Sequence, residues 1–483
     1  AIHRLAHALR VDATMLKLSH IDESVIQSYY HAEALLKHIK NKRELLQLYI
    51  DLPNALKKRD ADFGTVTMIN NKALAIAREL GDIEAETKVL NNLGRMSEVQ
   101  HDYAGALEFY LRSLALIDAV IAENNFTDAP HALPEALLMP KTVLLFNIGN
   151  CKRMLGNMRD TVTVCLEALA YASRLRNADI GVHLHQLLAR TYTELGGHSI
   201  ALEHLAKAAV MAESLKSPLL IGQTKMFFAL TLSRIGDYKH AIEYGLQVVD
   251  IYNRCQSFSQ YVTVSGLVGG MMISAGEFER AESFLFSLLT LIEQNDPAKN
   301  FSWQKVLIYQ NLARIAIYRN EWDSALSYLQ IPLDEVKDES KPPNLMVEIL
   351  IVAADVFIGA GMYDQAVVFA ERSLALGLNN NILKNQYLAH QQLAIIAEKK
   401  NDIAAAFYHY KEFHRIKEQV YNDESDQRNK NMIILLEENE AHRTVQAERL
   451  RRYELEEEIG QLSTSLVHLD QVFKEIQSAL RTT

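Results

Sequence analysis

Cysteine is nearly absent. Cys151, Cys165 and Cys255 are the only three in 483 residues, and no two are closely spaced. That excludes a disulfide framework or a zinc-finger ligand set as the organising feature. The thiols read as buried side chains in a reducing compartment. No run of eighteen apolar residues exists, so no transmembrane helix is expected, and no signal-peptide pattern is present. Positive charge is not in excess: 50 Lys and Arg face 60 Asp and Glu, for a net charge of −10. A nucleic-acid partner needs a basic face and is not expected. There is no Gly-rich phosphate loop, no GxSxG elbow and no HExxH. No catalytic constellation, cofactor site or enzyme is therefore expected. The seventeen histidines are scattered. His183 and His185, two apart on a helix, point to different faces and share no ion easily, so no metal site is expected. The first residue is Ala, which leaves room for a processed or trimmed N-terminus. A cytoplasmic location is the default expectation.

What the chain has is repetition. Asn91–Ala119, NNLGRMSEVQHDYAGALEFYLRSLALIDA, reads as two amphipathic helices joined by a tight turn at His101-Asp102. With Ala106 as reference, equivalent small or short residues fall at Val66, Thr161, Ala201, Ala241, Ala281, Ala325, Ala366 and Ala406. The steps are 40, 55, 40, 40, 40, 44, 41 and 40 residues. Twelve residues before the reference stands Gly94, Gly149, Ala189, Ala229, Gly269, Ala313, Ala354 or Ala394, eight of nine units. Small residues at both positions let two helix backbones approach closely. One hairpin cannot bury its own apolar faces, so such units must stack.

The units NLGRMSEVQHDYAGALEFYLRSL, FALTLSRIGDYKHAIEYGLQVV and VFIGAGMYDQAVVFAERSL resemble the tetratricopeptide repeat in their small–turn–aromatic–Ala pattern. The resemblance covers about residues 45–419. A period near 40, against the usual 34, implies helices extended by a few residues each. The expected fold is all-α: a right-handed α-solenoid of about nine to ten hairpins, then a C-terminal coiled-coil helix. Residues 1–44 are expected to form degenerate capping helices, 45–420 the solenoid, and 421–483 a long helix and coiled coil. Pro53 is expected to kink its helix, and Pro218 and Pro343, each 23 residues before a reference Ala, to sit in a first helical turn. The 55-residue step has its surplus in Glu123–Pro140, with three of the nine prolines. That composition reads as a loop, either a tolerated insertion or a lid near the groove.

Leu455, Ile459, Leu462, Leu466, Leu469, Phe473, Ile476 and Leu480 follow at alternating steps of 4 and 3, the signature of a coiled coil and hence of self-association. The last repeat with its following helix resembles the connector of bacterial signalling proteins, in which such arrays lead through a coil to an output domain (a diguanylate cyclase, histidine kinase or helix-turn-helix regulator). No output follows Thr483, so either the sequence is a fragment or the coil engages the output protein. His468 reads as a solvated coil residue.

Polar residues recur on the first helices. Fourteen before the reference lie Asn92, Asn147, Asn311 and Gln392; three further on lie Arg95, Asn150, Arg190 and Arg314. Spacing of three keeps both on one helix face. The tetratricopeptide resemblance implies that this face lines a concave groove in which Asn holds a peptide backbone. An amide both donates and accepts, and Arg pairs with carboxylates. Leu187, Phe227 and Leu267 replace Asn in the middle, so an apolar centre is expected there. The functional expectation is a sensor or scaffold that binds a peptide or protein segment and dimerises through its coil. A peptide-pheromone receptor and a non-switching adaptor are the alternatives.

Overall fold

A computed structural model describes residues 23–38, 41–57, 63–124, 133–175, 179–295, 302–335, 343–380 and 382–420. The coil 455–480 and most of the 1–44 segment lie outside them. Among the described residues there are helices and turns and no strand. The chain divides into two units, Ala1–Phe413 and His414–Thr483, and the repeats belong to the first apart from the last seven residues of the 403–420 helix.

After Glu23–His38 (α1), the helices pair as inner and outer members of nine hairpins. These are Lys42–Lys57 (α2) with Phe63–Leu80 (α3), Ile83–Val99 (α4) with Tyr103–Glu123 (α5), and Glu135–Met154 (α6) with Met158–Ala172 (α7). Next come Asp179–Leu195 (α8) with His198–Ser214 (α9), Pro218–Ile235 (α10) with Tyr238–Arg254 (α11), and Phe258–Ser274 (α12) with Phe278–Asn295 (α13). Ser302–Arg319 (α14) with Trp322–Glu335 (α15), Pro343–Gly359 (α16) with Tyr363–Asn379 (α17), and Leu383–Lys399 (α18) with 403–420 (α19) complete the array. This is a tetratricopeptide-type α-solenoid.

In the eight hairpins whose turns are among the described residues, from α4–α5 onward, the turn is the same. Five residues before the reference stands a left-handed residue: His101, Gly156, Gly196, Gly236, Gly276, Asn320, Gly361 and Asn401 all have positive φ. The residue after it donates its N–H back across the turn, as Asp102 does to Ser97 at 2.9 Å, Asp237 to Leu232 at 3.0 Å and Asp402 to Ala397 at 2.9 Å. This six-residue closure satisfies a terminal carbonyl of the first helix. Where the next residue is Asp, its carboxylate caps the second helix; Asp102 accepts from Gly105 N–H at 2.9 Å.

The reference residues from Val66 to Ala366 are at most 1 % exposed. Gly94 lies under the Tyr110 ring and Gly269 under Leu285. A Cβ would come within 2.5 Å of Tyr110 Cε1 or 2.6 Å of a Leu285 methyl. Glycine there is a packing requirement. The Pro140 expectation needs correction: the helix begins at Glu135, and Pro140 stands inside it. It sits in the second turn, so a single i→i−4 bond is missing and the helix survives. Pro53 is likewise carried within α2. Pro218 occupies the first turn of α10 behind the capping Ser217, and Pro343 opens α16.

Candidate ligand groove on the inner helices

The inner helices present the expected positions unequally. Arg95 and Arg314 are exposed, and Asn92, Asn147, Asn150, Arg190 and Phe227 are half-buried. Leu267 is exposed. Asn311 and Gln392 depart from the expectation of open groove residues, being 2 % and 4 % exposed. The Asn311 amide donates to the Gly266 carbonyl at 3.3 Å. Gln392 donates to the Ile351 carbonyl at 2.8 Å and to Asp355 at 2.7 Å. These side chains bridge neighbouring inner helices because α12 and α16 offer carbonyls within reach. Asp355 is open to solvent on one side yet ringed by protein, and this crowding raises its pKa.

Near the first end, polar partners tie α4 to α6. Asn147 donates to Asn91 at 2.8 Å, while Asn150 and the Cys151 thiol each reach Glu98 at 3.3 Å. Burial, the Glu98 charge and the thiol's bond to that carboxylate push the Cys151 thiol well above its ordinary range, so it stays protonated. Burial likewise pushes the Cys165 thiol up to about 12.

An open, charged hollow lies between α8 and α10. Its volume is about 170 Å³, and it is lined by Arg190, Thr193, Glu194, Phe227, Leu230, Thr231 and Arg234. Its floor is set by a bond between the Thr193 and Thr231 hydroxyls at 3.1 Å. The Arg190 guanidinium lies 5.2 Å from the Phe227 ring centroid, a cation–π arrangement. Burial and the nearby Arg153 charge lower the Arg190 pKa, partly offset by Glu194. Arg153 is itself buried and donates to Glu194 at 2.6 Å. One carboxylate thus faces three guanidiniums, and Arg153 takes it. Arg190 and Arg234 remain directed at the hollow with apolar surface from Phe227 and Leu230 beside them, an arrangement suited to a carboxylate next to an apolar side chain.

Arg190 and Phe227 are among the residues expected from sequence; Arg153, Glu194 and Arg234 are not. Glu194 and Arg234 lie seven residues before their reference residues, one turn beyond the Arg190 position on the same face. Following the stripe at 14, 11 and 7 residues would have found them.

No protein-family model matches the chain, and no curated protein matches it in sequence. Solved structures do. The tetratricopeptide repeat sensor-bearing STAND protein (a signal transduction ATPase with numerous domains) of Pyrococcus horikoshii is similar at 14% identity and a TM-score of 0.52, over 84% of this chain and 57% of that one. The chain therefore spans little more than half of that protein's length. The apo form of RapI is similar at 11% identity and a TM-score of 0.52, over 78% of this chain and 99% of that one. At such identities the likeness concerns the fold, and the fold is that of tetratricopeptide repeat proteins.

Proposed function

We propose that this chain is a non-enzymatic binding region of a signalling protein, holding an extended peptide or protein segment along its inner helices. Arg190 and Arg234 take a carboxylate of that segment, and Phe227, Leu230 and Leu267 take its apolar side chains. The observation that carries this is the hollow between α8 and α10, where, among the described residues, Arg190 and Arg234 form no ion pair of their own while Arg153 holds Glu194. The Pyrococcus protein, whose repeat region is described as a sensor, supports a sensing role. A coiled coil at 455–480 dimerises the chain and passes the bound state to an output domain or partner. A random heptapeptide display library selected on the whole chain tests the reading. It predicts enrichment of sequences with an acidic group beside apolar residues, lost when Arg190 and Arg234 are both Ala. Enrichment of basic sequences, or none that depends on these arginines, would contradict it.

A further inference from the structure

On the outer helices, between α13 and α15, lies a hollow of about 400 Å³ that the groove does not use. Phe286, Tyr309 and Tyr328 contribute rings, and Glu293 a carboxylate. Phe286 meets Tyr328 edge-on at 6.1 Å, and Tyr309 meets Tyr328 tilted at 6.5 Å. Three aromatic rings with a carboxylate among the lining form the chemistry that attracts an ammonium ion. Among the described residues, the cation nearby is engaged elsewhere. Arg319 is held by Glu282 at 2.9 Å, and among the described residues no lysine or arginine pairs with Glu293. Burial and the Glu293 charge raise the Tyr309 pKa, so its phenol stays neutral beside that carboxylate.

The protein supplies its own precedent. Tyr328 stands three residues after its reference residue, and so does Tyr244 two repeats earlier. Over Tyr244 lies Lys225, its Nζ 5.8 Å from the ring centroid and bonded to Gln247 at 2.6 Å. Lys225 is sixteen residues before its reference; the residue at that place in the α14–α15 hairpin is Tyr309. The α14–α15 hairpin thus has a third ring where the α10–α11 hairpin has its internal lysine.

We propose that this hollow receives the ammonium group of a lysine side chain presented by a partner polypeptide. A lysine fits better than a free amine because the hollow is open outward and rimmed by exposed Phe286 and Ile331. A butyl stem covers that apolar rim while the ammonium reaches Glu293. A free ammonium would leave the rim uncovered.

The test uses the whole chain and Nα-acetyl-lysine N-methylamide as probe, followed by saturation-transfer NMR. The probe's ε-methylene signal should respond, with at least a fivefold loss of affinity in Glu293→Gln and in Phe286→Leu. Both positions are solvent-exposed, and unchanged thermal melting confirms that the variants fold. Arg190→Ala should leave the response unchanged, separating this site from the inner groove. The norleucine analogue, which keeps the stem without the charge, should bind at least fivefold more weakly. Equal binding of that analogue, or variants within twofold of wild type, would overturn the proposal. Choline binding as tightly as the lysine probe would overturn the lysine assignment in favour of a free amine.

Discussion

Replacing His185 with Leu and His204 with Phe would install in the α8–α9 hairpin the pair that α16 and α17 carry at the same repeat positions, Leu350 and Phe369. The native pair is unusual for this place. The two Nδ1 atoms lie 2.9 Å apart, the His204 ring stacks on Tyr192 at 5.6 Å, and the same arrangement recurs at His390 and His409, also 2.9 Å apart. One ring of such a pair donates and the other accepts, so the two cannot both be protonated without placing two cations in contact. Burial, with a smaller contribution from the Lys207 charge, lowers the His185 pKa to about 4. In the unfolded chain it returns to about 6.5. The folded state therefore binds fewer protons between these values, so stability is full above about 6.5 and falls as pH drops toward 4. From pH 7 to pH 5 the loss is about 2 kcal/mol, an upper figure because the ring is partly solvated. Hydrogen exchange of segment 179–214 at the two pH values reads this locally, which suits an array whose repeats can open separately. Wild type should lose protection on acidification about tenfold more than the double variant. Equal pH dependence in the two proteins would refute the reasoning.

Gly94→Ala should destabilise the array by about 1–3 kcal/mol, because the new methyl meets the buried Tyr110 ring; a thermal melt measures it. Asn311→Ala should cost about 1–2 kcal/mol of stability by deleting the buried amide's bond to the Gly266 carbonyl, while leaving peptide affinity within twofold, since the amide is internal. Changing Leu462, Leu466 and Leu469 together to Glu should yield monomers in sedimentation with the solenoid's helical signal retained; a wild-type monomer at tens of micromolar would defeat the coil reading.

Much of the fold was readable because each hairpin repeats its own reasons. A small residue at two fixed positions and a turn between them recur at Ala106, Ala201, Ala241 and Ala281 with a spacing of 40 or thereabouts wherever no insertion intervenes, and the structure places a left-handed residue five before each. The start of α6 was not readable, since Pro134 and Pro140 suggest a loop throughout, whereas α6 tolerates Pro140 early in its length. The groove was half legible. Periodicity identifies a helix face, but it cannot tell an amide that faces open space from one that reaches a neighbouring carbonyl. Asn147 and Asn311 share a repeat position, yet Asn147 is half-buried against Asn91 and Asn311 is sealed against Gly266. That difference depends on how closely successive inner helices approach, which Gly266 and Gly270 decide in α12. The histidine pairs escaped sequence reasoning for a related reason: His185 was weighed against His183 on its own helix, while its partner His204 lies nineteen residues away across the hairpin.

The central claim is that Arg190 and Arg234 anchor an acidic, apolar segment on the inner helices. Fluorescence anisotropy of the most enriched library peptide against wild type and Arg190→Ala, with thermal melts alongside, tests it most directly. If Arg190 holds a carboxylate of the peptide, Arg190→Ala weakens binding by about 1–3 kcal/mol, or roughly 5- to 150-fold, while the melting temperature stays within about 2 °C. A lowered melting temperature with unchanged affinity would mean that Arg190 serves the packing against Phe227 alone, and the claim would fail.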